Sequence, residues 1–375
     1  MKPLHPHLRP AHLDKKPAAD ASVPSAPGAR QRFVDALHRR NTGLPPVWFM
    51  RQAGRYHSHY QNLKTQYSFM ELCKEPKLAA EVTYGPVDAF GFDTAILFSD
   101  LLFPLEVMGM GLDYAPGPQL GWHLRRREDL SKLRGGSSLA AGLEFQAEAI
   151  RIIRNHYGDS KGLIGFVGAP LTLYAYAVEG SHQGNLSSAI AGLEDGRFEG
   201  FTTRLADLLA ENLCLQAEAG PDAIAIFDTC GGELNPVQFA RHAVPALKLV
   251  LDKFRERHPD MPIVYYSRGT GPDHWKALSG LSIQCLGIDW NHDLADVLSE
   301  WGDRYAIQGN IDPGWLRDLG ADDLERKVEA VWSKVKALPV EKRRGWVCAL
   351  GHGVLQHTPE ENVRRLVALS RRMFA

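Results

Sequence analysis

Residues 30–375 read as a single (β/α)8 TIM barrel, and three observations predict it. Eight short runs are mostly β-branched or aromatic and apolar on both faces, the pattern of strands buried in a parallel sheet. Amphipathic, helix-like stretches separate most of them. The chain's 375 residues suit one large α/β barrel or two ordinary domains, and no internal repeat or linker after residue 30 marks a second domain. A doubly wound open sheet is the alternative. Its usual sign, a phosphate-binding glycine fingerprint after the first strand, is replaced here by Arg51-Gln-Ala-Gly-Arg55.

The runs are taken in order. The strands fall at 46–50, 94–98, 163–167, 223–227, 262–266, 284–288, 305–308 and 346–350. Helices are expected at 76–90, 199–219, 236–257, 272–279, 293–300, 321–337 and 359–373. In 199–219, Phe201, Leu205, Leu208, Leu209 and Leu213 share one face, with Arg204, Asp207 and Glu211 away from it. The last helix carries a start signal: Thr358 as N-cap, Pro359 at the first position, and Glu360 and Glu361 in the first turn. Segment 103–125 is rich in glycine and proline and reads as a loop or small hairpin over one barrel end.

Residues 1–29 differ from the rest. They hold six prolines with Ala, Ser and several basic residues, and no apolar signal core. A disordered tail is expected; a transit peptide is the other reading, and His5, His7 and His12 in it are not assigned a ligand. The bulk numbers exclude several function classes. Net charge is −1, so no basic surface points to nucleic acid or anionic lipid. No apolar run approaches the roughly twenty residues that span a bilayer. Five cysteines with no CxxC pair fit a reducing, cytoplasmic setting and argue against a disulfide framework.

A barrel places its active site at the C-terminal ends of its strands. The first run ends in Arg51 and Arg55 on a Gly54-containing turn, a fork suited to carboxylate or phosphate, or else a solvated pair. Ser99 and Asp100 follow the second run. Gly168-Ala-Pro-Leu-Thr, then Tyr174, Tyr176 and Glu179, follow the third. Asp228, Thr229 and Cys230 follow the fourth, Ser267 and Arg268 the fifth, and Asp289 the sixth. Gly309, Asn310 and Asp312 follow the seventh, and Gly351, His352 and Gly353 the eighth. Each has a plainer reading. Asp100 could cap a turn, Tyr176 could be a core tyrosine, and Thr229 could be a turn residue. Asp228, Asp289 and Asp312 could brace the mouth. The glycines around His352 leave room for a ligand. Asp228-Thr-Cys230 with Cys348 and His352 could be assembled into a zinc set on paper, but no tight local ligand pair supports it, so no metal is expected.

These residues carry a resemblance to the uroporphyrinogen decarboxylase family over about residues 32–370. The motifs are Pro46-Val-Trp-Phe-Met-Arg-Gln-Ala-Gly-Arg-Tyr56, Ala95-Ile-Leu-Phe-Ser-Asp100, and Gly165-Phe-Val-Gly-Ala-Pro-Leu-Thr-Leu173 with Tyr176 and Glu179-Gly180. Gln308-Gly-Asn-Ile-Asp-Pro313 and Leu350-Gly-His-Gly353 complete them. The resemblance implies cofactor-free removal of carbon dioxide from the four acetate arms of an octacarboxylate macrocycle, and a homodimer. It implies that Asp100 meets the pyrrole N–H groups, supported by Tyr176. Arg51, Gln52, Ala53, Gly54 and Arg55 would bind substrate, with Arg51 the candidate proton donor or relay. Thr229, His352 and Lys64 would meet further carboxylates. Departures are His57-Ser58 where the family usually has Leu-Pro, Ala349 where it has Asn, and the 267–271 loop. Two competing readings are a superfamily corrinoid-type methyltransferase, whose zinc-binding His-x-Cys is here Asp228-Thr-Cys230, and a non-catalytic tetrapyrrole binder.

Overall fold

The computed structural model describes residues 27–114, 117–181 and 184–375. The expected tail lies mostly outside them; within them the first helix, Ala29–Leu37, begins directly after Gly28. Seven strands form one parallel sheet: β1 (Thr94–Ile96), β4 (Gly162–Gly168), β5 (Ala223–Asp228), β6 (Ile263–Ser267), β7 (Cys285–Gly287), β8 (Ala306–Ile311) and β9 (Trp346–Leu350). They pair in that order. β2 (Asp113–Tyr114) and β3 (Pro118–Gln119) form a separate antiparallel hairpin inside the 103–125 excursion.

The first expected strand, 46–50, makes a single parallel bridge, Val47 to Cys348 of β9. The physical reason is local. Pro45 and Pro46 offer no amide hydrogen, and on the β1 side one backbone bond, from the Asp93 amide to the Val47 carbonyl at 2.9 Å, is supplemented by side chains. The Val47 amide donates to Asp93 Oδ2 at 2.7 Å and the Phe49 amide to Gln52 Oε1 at 3.1 Å. Gln52 Nε2 then donates to the Thr94 carbonyl at 3.1 Å. Segment 46–50 thus closes the barrel between β9 and β1.

Strand alternation divides the buried residues into two sets. Trp48, Ala95, Ile164, Phe166, Ala225, Phe227, Val264, Tyr266, Cys285, Ala306 and Val347 belong to one cluster. Their neighbours Val47, Ile224, Ile226, Ile263, Tyr265, Leu286, Ile307, Trp346 and Cys348 belong to the cluster that the outer helices cover. Trp48 Nε1 donates to Gln308 Oε1 at 3.1 Å, linking segment 46–50 to β8. The helix Ala29–Leu37 covers the N-terminal ends of the strands. Its Phe33 fills the space a side chain at Gly162 would occupy, 2.8 Å from the built Cβ.

Helices Pro76–Phe90 and Ala321–Ala337 fall where the periodicity puts them. The expected 236–257 helix runs from Pro236 to Arg255 with a wide turn over Phe239–Ala243; Pro245, which has no N–H, follows that turn. Two long helices went unread: Glu144–Tyr157 and Pro170–Glu179. The start signal at Thr358 needs correction. The last helix spans Glu360–Phe374, its N-cap is Pro359, and the Thr358 hydroxyl is buried without a partner. Glu360 instead accepts the Ser58 amide at 2.7 Å, tying the helix to the turn after Arg55.

Candidate functional site

The polar residues expected at one end of the strands do collect there, but they divide into structural and uncommitted groups. The aspartates after β5, β7 and β8 are fully used. Asp228 accepts Thr172 Oγ1 and Tyr265 OH, each at 2.7 Å. Asp289 accepts the amides of Gly269 and Asn291 at 2.7 and 2.9 Å. Asp312 caps the helix Pro313–Asp318 through the Gly314 amide at 2.7 Å. All three brace the mouth. Ser267 bonds Thr270, Glu179 accepts the Ala189 amide, and Tyr174 is fully buried against Phe198 and Phe201.

Arg51 and Arg55 behave differently. Both are exposed, and among the described residues neither guanidinium has a hydrogen bond or ion pair. Arg51 holds φ at 59°, in the left-handed region, which costs a residue with a Cβ about 1 kcal/mol or more. Two contacts hold it there. The Val354 amide donates to the Met50 carbonyl at 2.9 Å, and the Arg51 stem lies over Gly353, whose built Cβ would stand 2.5 Å from Arg51 Cδ. The glycines beside His352 therefore admit protein: Gly353 makes room for Arg51, and Gly351 for the Asp289–Trp290 backbone. The expectation for Gln52 also narrows. Its side chain is buried in the barrel seam, its amide donates to the Phe49 carbonyl at 2.9 Å and its carbonyl accepts the Tyr56 hydroxyl at 2.8 Å, so Gln52 shapes the turn from within. Ala53 and Gly54 sit half-buried on the turn that ends with the His57 amide donating to the Gly54 carbonyl at 3.0 Å.

Asp100 lies across from Arg51. Its Oδ1 accepts the Leu102 amide at 2.9 Å, so the turn-capping reading holds for one oxygen. Burial pushes its carboxyl pKa up, against the Tyr114 hydroxyl, the Leu102 amide and the Arg51 charge, which push it down. Tyr176 stands on the helix Pro170–Glu179 within the fields of Asp100, Arg51 and Cys230; burial raises its phenol. That helix starts with Pro170 at its first position, a signal the sequence offered. Thr229 is buried, and its hydroxyl has no partner. His352 Nδ1 accepts the Gly353 amide at 2.5 Å, which leaves the neutral ring's proton on Nε2.

Rings line the inner wall from β4 toward the rim. Phe166 and Phe227 are 5.5 Å apart, Phe227 and Tyr266 6.2 Å, Tyr266 and His352 6.1 Å, and Trp290 and His352 6.3 Å. Lys64 is exposed at the end of the helix Ser58–Lys64, which docks through Tyr60 on Phe98. Sequence reasoning passed over Tyr114 and Trp290, the first hidden in the glycine- and proline-rich excursion. Among the described residues no group of three or more His, Cys, Asp or Glu side chains could hold a metal ion, and all five cysteines are buried and free.

Fold and site together define a class: a parallel βα-barrel enzyme whose mouth carries exposed, unpaired arginines on the first turn and a half-buried carboxylate facing one of them. The comparisons narrow it. The family model described as uroporphyrinogen decarboxylase (URO-D) matches residues 29–373, so the chain belongs to that family. A Pelobacter propionicus protein named uroporphyrinogen decarboxylase is 36% identical over 91% of this chain and 98% of its own length. One of the same name from Syntrophotalea carbinolica is 38% identical, over 89% and 95%. Among solved structures, a methyltransferase from Methanosarcina mazei superposes with a TM-score of 0.76 at 18% identity, covering 93% of this chain and 99% of that one. That likeness shows the fold, a curled parallel βα sheet.

Proposed function

We propose that this chain is a uroporphyrinogen decarboxylase, acting at the mouth described above through residues 30–375. The observation that carries the reading is a turn with two exposed arginines lacking carboxylate partners, Arg51 of which acts on the half-buried Asp100, in a chain whose relatives bear that name. An octacarboxylate substrate would supply the missing anions, and guanidinium suits planar carboxylates.

The chemistry needs no electron sink beyond the pyrrole. Protonation of the ring carbon that bears an acetate arm leaves a cationic ring. The bond to the carboxylate breaks, carbon dioxide leaves, and its electron pair neutralises the ring as an exocyclic methylene. A second proton makes that methylene a methyl, while the ring carbon returns its own proton. The net exchange on each arm is one carbon dioxide for one proton. Asp100 would accept the pyrrole N–H groups and stabilise the cation, a preorganised electrostatic effect worth roughly 3–4 kcal/mol. A cationic ring also favours the ionised form that burial opposes. Tyr176 would support Asp100. Arg51 and Arg55 would hold carboxylates, assisted by the backbone of Ala53 and Gly54, by the Thr229 hydroxyl, and by His352 through Nε2–H. Lys64 would add a charge at the outer edge. Arg51 is a poor acid, with a side-chain pKa above about 12, so its part in proton delivery would be to orient a water or a substrate acid. The aromatic wall from Phe166 to His352 would face the pyrrole rings.

The protein is read as a cytoplasmic homodimer, which buried free cysteines and the family resemblance support; a monomer by light scattering would remove the second part. Anaerobic incubation with uroporphyrinogen III, followed by chromatography of the oxidised products, tests the function. Successive loss of four carboxyl groups is expected. An unchanged octacarboxylate under those conditions rules the reading out.

A further inference from the structure

The 103–125 excursion delivers one hydroxyl to the site that the functional reading leaves unused. Tyr114 ends β2, and its ring packs on Phe69 at 4.5 Å between centroids. Phe69 in turn meets Phe98, which meets Tyr60, at 6.0 and 5.5 Å. Phe98, in the middle of this aromatic row, stands directly before Ser99 and Asp100 in the chain. The row fixes the phenol with its oxygen buried, and no group meets that oxygen with full hydrogen-bond geometry. The hydroxyl lies close enough to Asp100 to be the largest single influence favouring its ionised form, ahead of the Leu102 amide and Arg51. A buried hydroxyl without a partner costs free energy, and Asp100 is the acceptor within its reach.

We propose that Tyr114 is a positioning residue for decarboxylation: its hydroxyl donates to the Asp100 carboxylate once substrate fills the mouth, holding that carboxylate ionised and aimed at the pyrrole N–H groups. The inference rests on the reading of Asp100 given above. The groups that face Asp100 are few. Arg51 comes from the first turn, Cys73 from the helix Phe69–Lys74, Tyr176 from the helix Pro170–Glu179, and Tyr114 from the hairpin. Cys73 and Tyr176 are themselves pushed toward their neutral forms by burial. Arg51 is the sole cation in that set, and Tyr114 is the donor that no other contact occupies. A hydroxyl bonded to the charged form of an acid lowers its pKa, so removing it raises the pKa and penalises the enzyme on the acid side only.

The test compares pH–rate profiles of the wild type, Tyr114→Phe and Asp100→Asn, with uroporphyrinogen III under anaerobic conditions. Tyr114→Phe keeps the ring on Phe69. Its kcat/KM is expected to fall about threefold to tenfold at the acid end of the profile and to converge on the wild type at the alkaline end. Its Tm should stay unchanged, and Asp100→Asn should be nearly inactive throughout. A Tyr114→Phe profile parallel to that of the wild type overturns the inference and leaves the role of Asp100 standing. An Asp100→Asn variant as active as the wild type overturns both.

Discussion

The two ends of the barrel use arginine in opposite ways. At the N-terminal end four guanidinium groups find two buried carboxylates. Arg32 and Arg371 meet Asp93, each at 2.5 Å, and Arg30 and Arg154 meet Asp222 at 2.8 and 2.6 Å. The two aspartates are almost wholly buried and also take the amides of Val47 and Leu163. At the C-terminal end Arg51 and Arg55 have no such partner among the described residues, while Asp228, Asp289 and Asp312 are spent on hydroxyls and amides. One end pairs its buried carboxylates with arginines; the other leaves two exposed guanidinium groups without a carboxylate among the described residues. Conservation of charge type along the sequence would not reveal this, because it is a matter of which cations find carboxylates.

The contrast can be broken or sharpened by substitution. The largest effect is expected at the mouth. Asp100→Asn should lower kcat by about a hundredfold or more with a wild-type circular dichroism spectrum and Tm, because the asparagine oxygen can still accept the Leu102 amide. A variant within tenfold of the wild type would remove Asp100 from the chemistry. At the opposite end Asp93→Ala should act on stability alone. It strands two partly buried guanidinium groups and the Val47 amide, and breaking a buried ion pair costs about 3–5 kcal/mol. Denaturant unfolding should show that loss, with KM unchanged in the surviving folded fraction; an unchanged unfolding midpoint would deny the N-terminal end its structural role.

The smallest effect concerns His57, which burial holds at a pKa of about 4, partly offset by Glu360. The ring packs on Phe90 at 5.0 Å, and its Nδ1 has no partner. Its folded pKa lies below the ordinary value near 6.5. The unfolded chain therefore takes up the proton first, and stability falls as pH drops from about 6.5 toward about 4. His57→Leu, the family's usual residue there, should flatten that part of a Tm-against-pH curve and leave it unchanged above pH 7. An equally steep curve in the variant would place the acid sensitivity elsewhere.

Most of the barrel was legible in the sequence because buried parallel strands are apolar on both faces and leave an unmistakable run. The strand at 46–50 was legible as an apolar segment but not as a seam. Beside its backbone bonds to Cys348, two of its amides donate to the side chains of Asp93 and Gln52, and side-chain partners leave no periodic trace. The helix Pro170–Glu179 was missed because it is apolar nearly all round, so it shows no amphipathic stripe. At the site, residue types at strand ends pointed to Arg51, Asp100 and His352. They could not show that Gly353 is a seat for Arg51 or that Asp228 is a brace. Tyr114 was invisible for a topological reason: a loop of 103–125 carries no period that says where it folds back.

The central claim is that the mouth's arginines are unpaired for the sake of an anionic substrate. The kinetics and thermal stability of Arg51→Gln test it most directly. The account predicts that kcat/KM for uroporphyrinogen III falls about a hundredfold, largely through KM, while Tm stays within about a degree of the wild type, since no internal ion pair is lost. Unchanged kcat/KM, or a Tm loss matching that of Asp93→Ala, would contradict it.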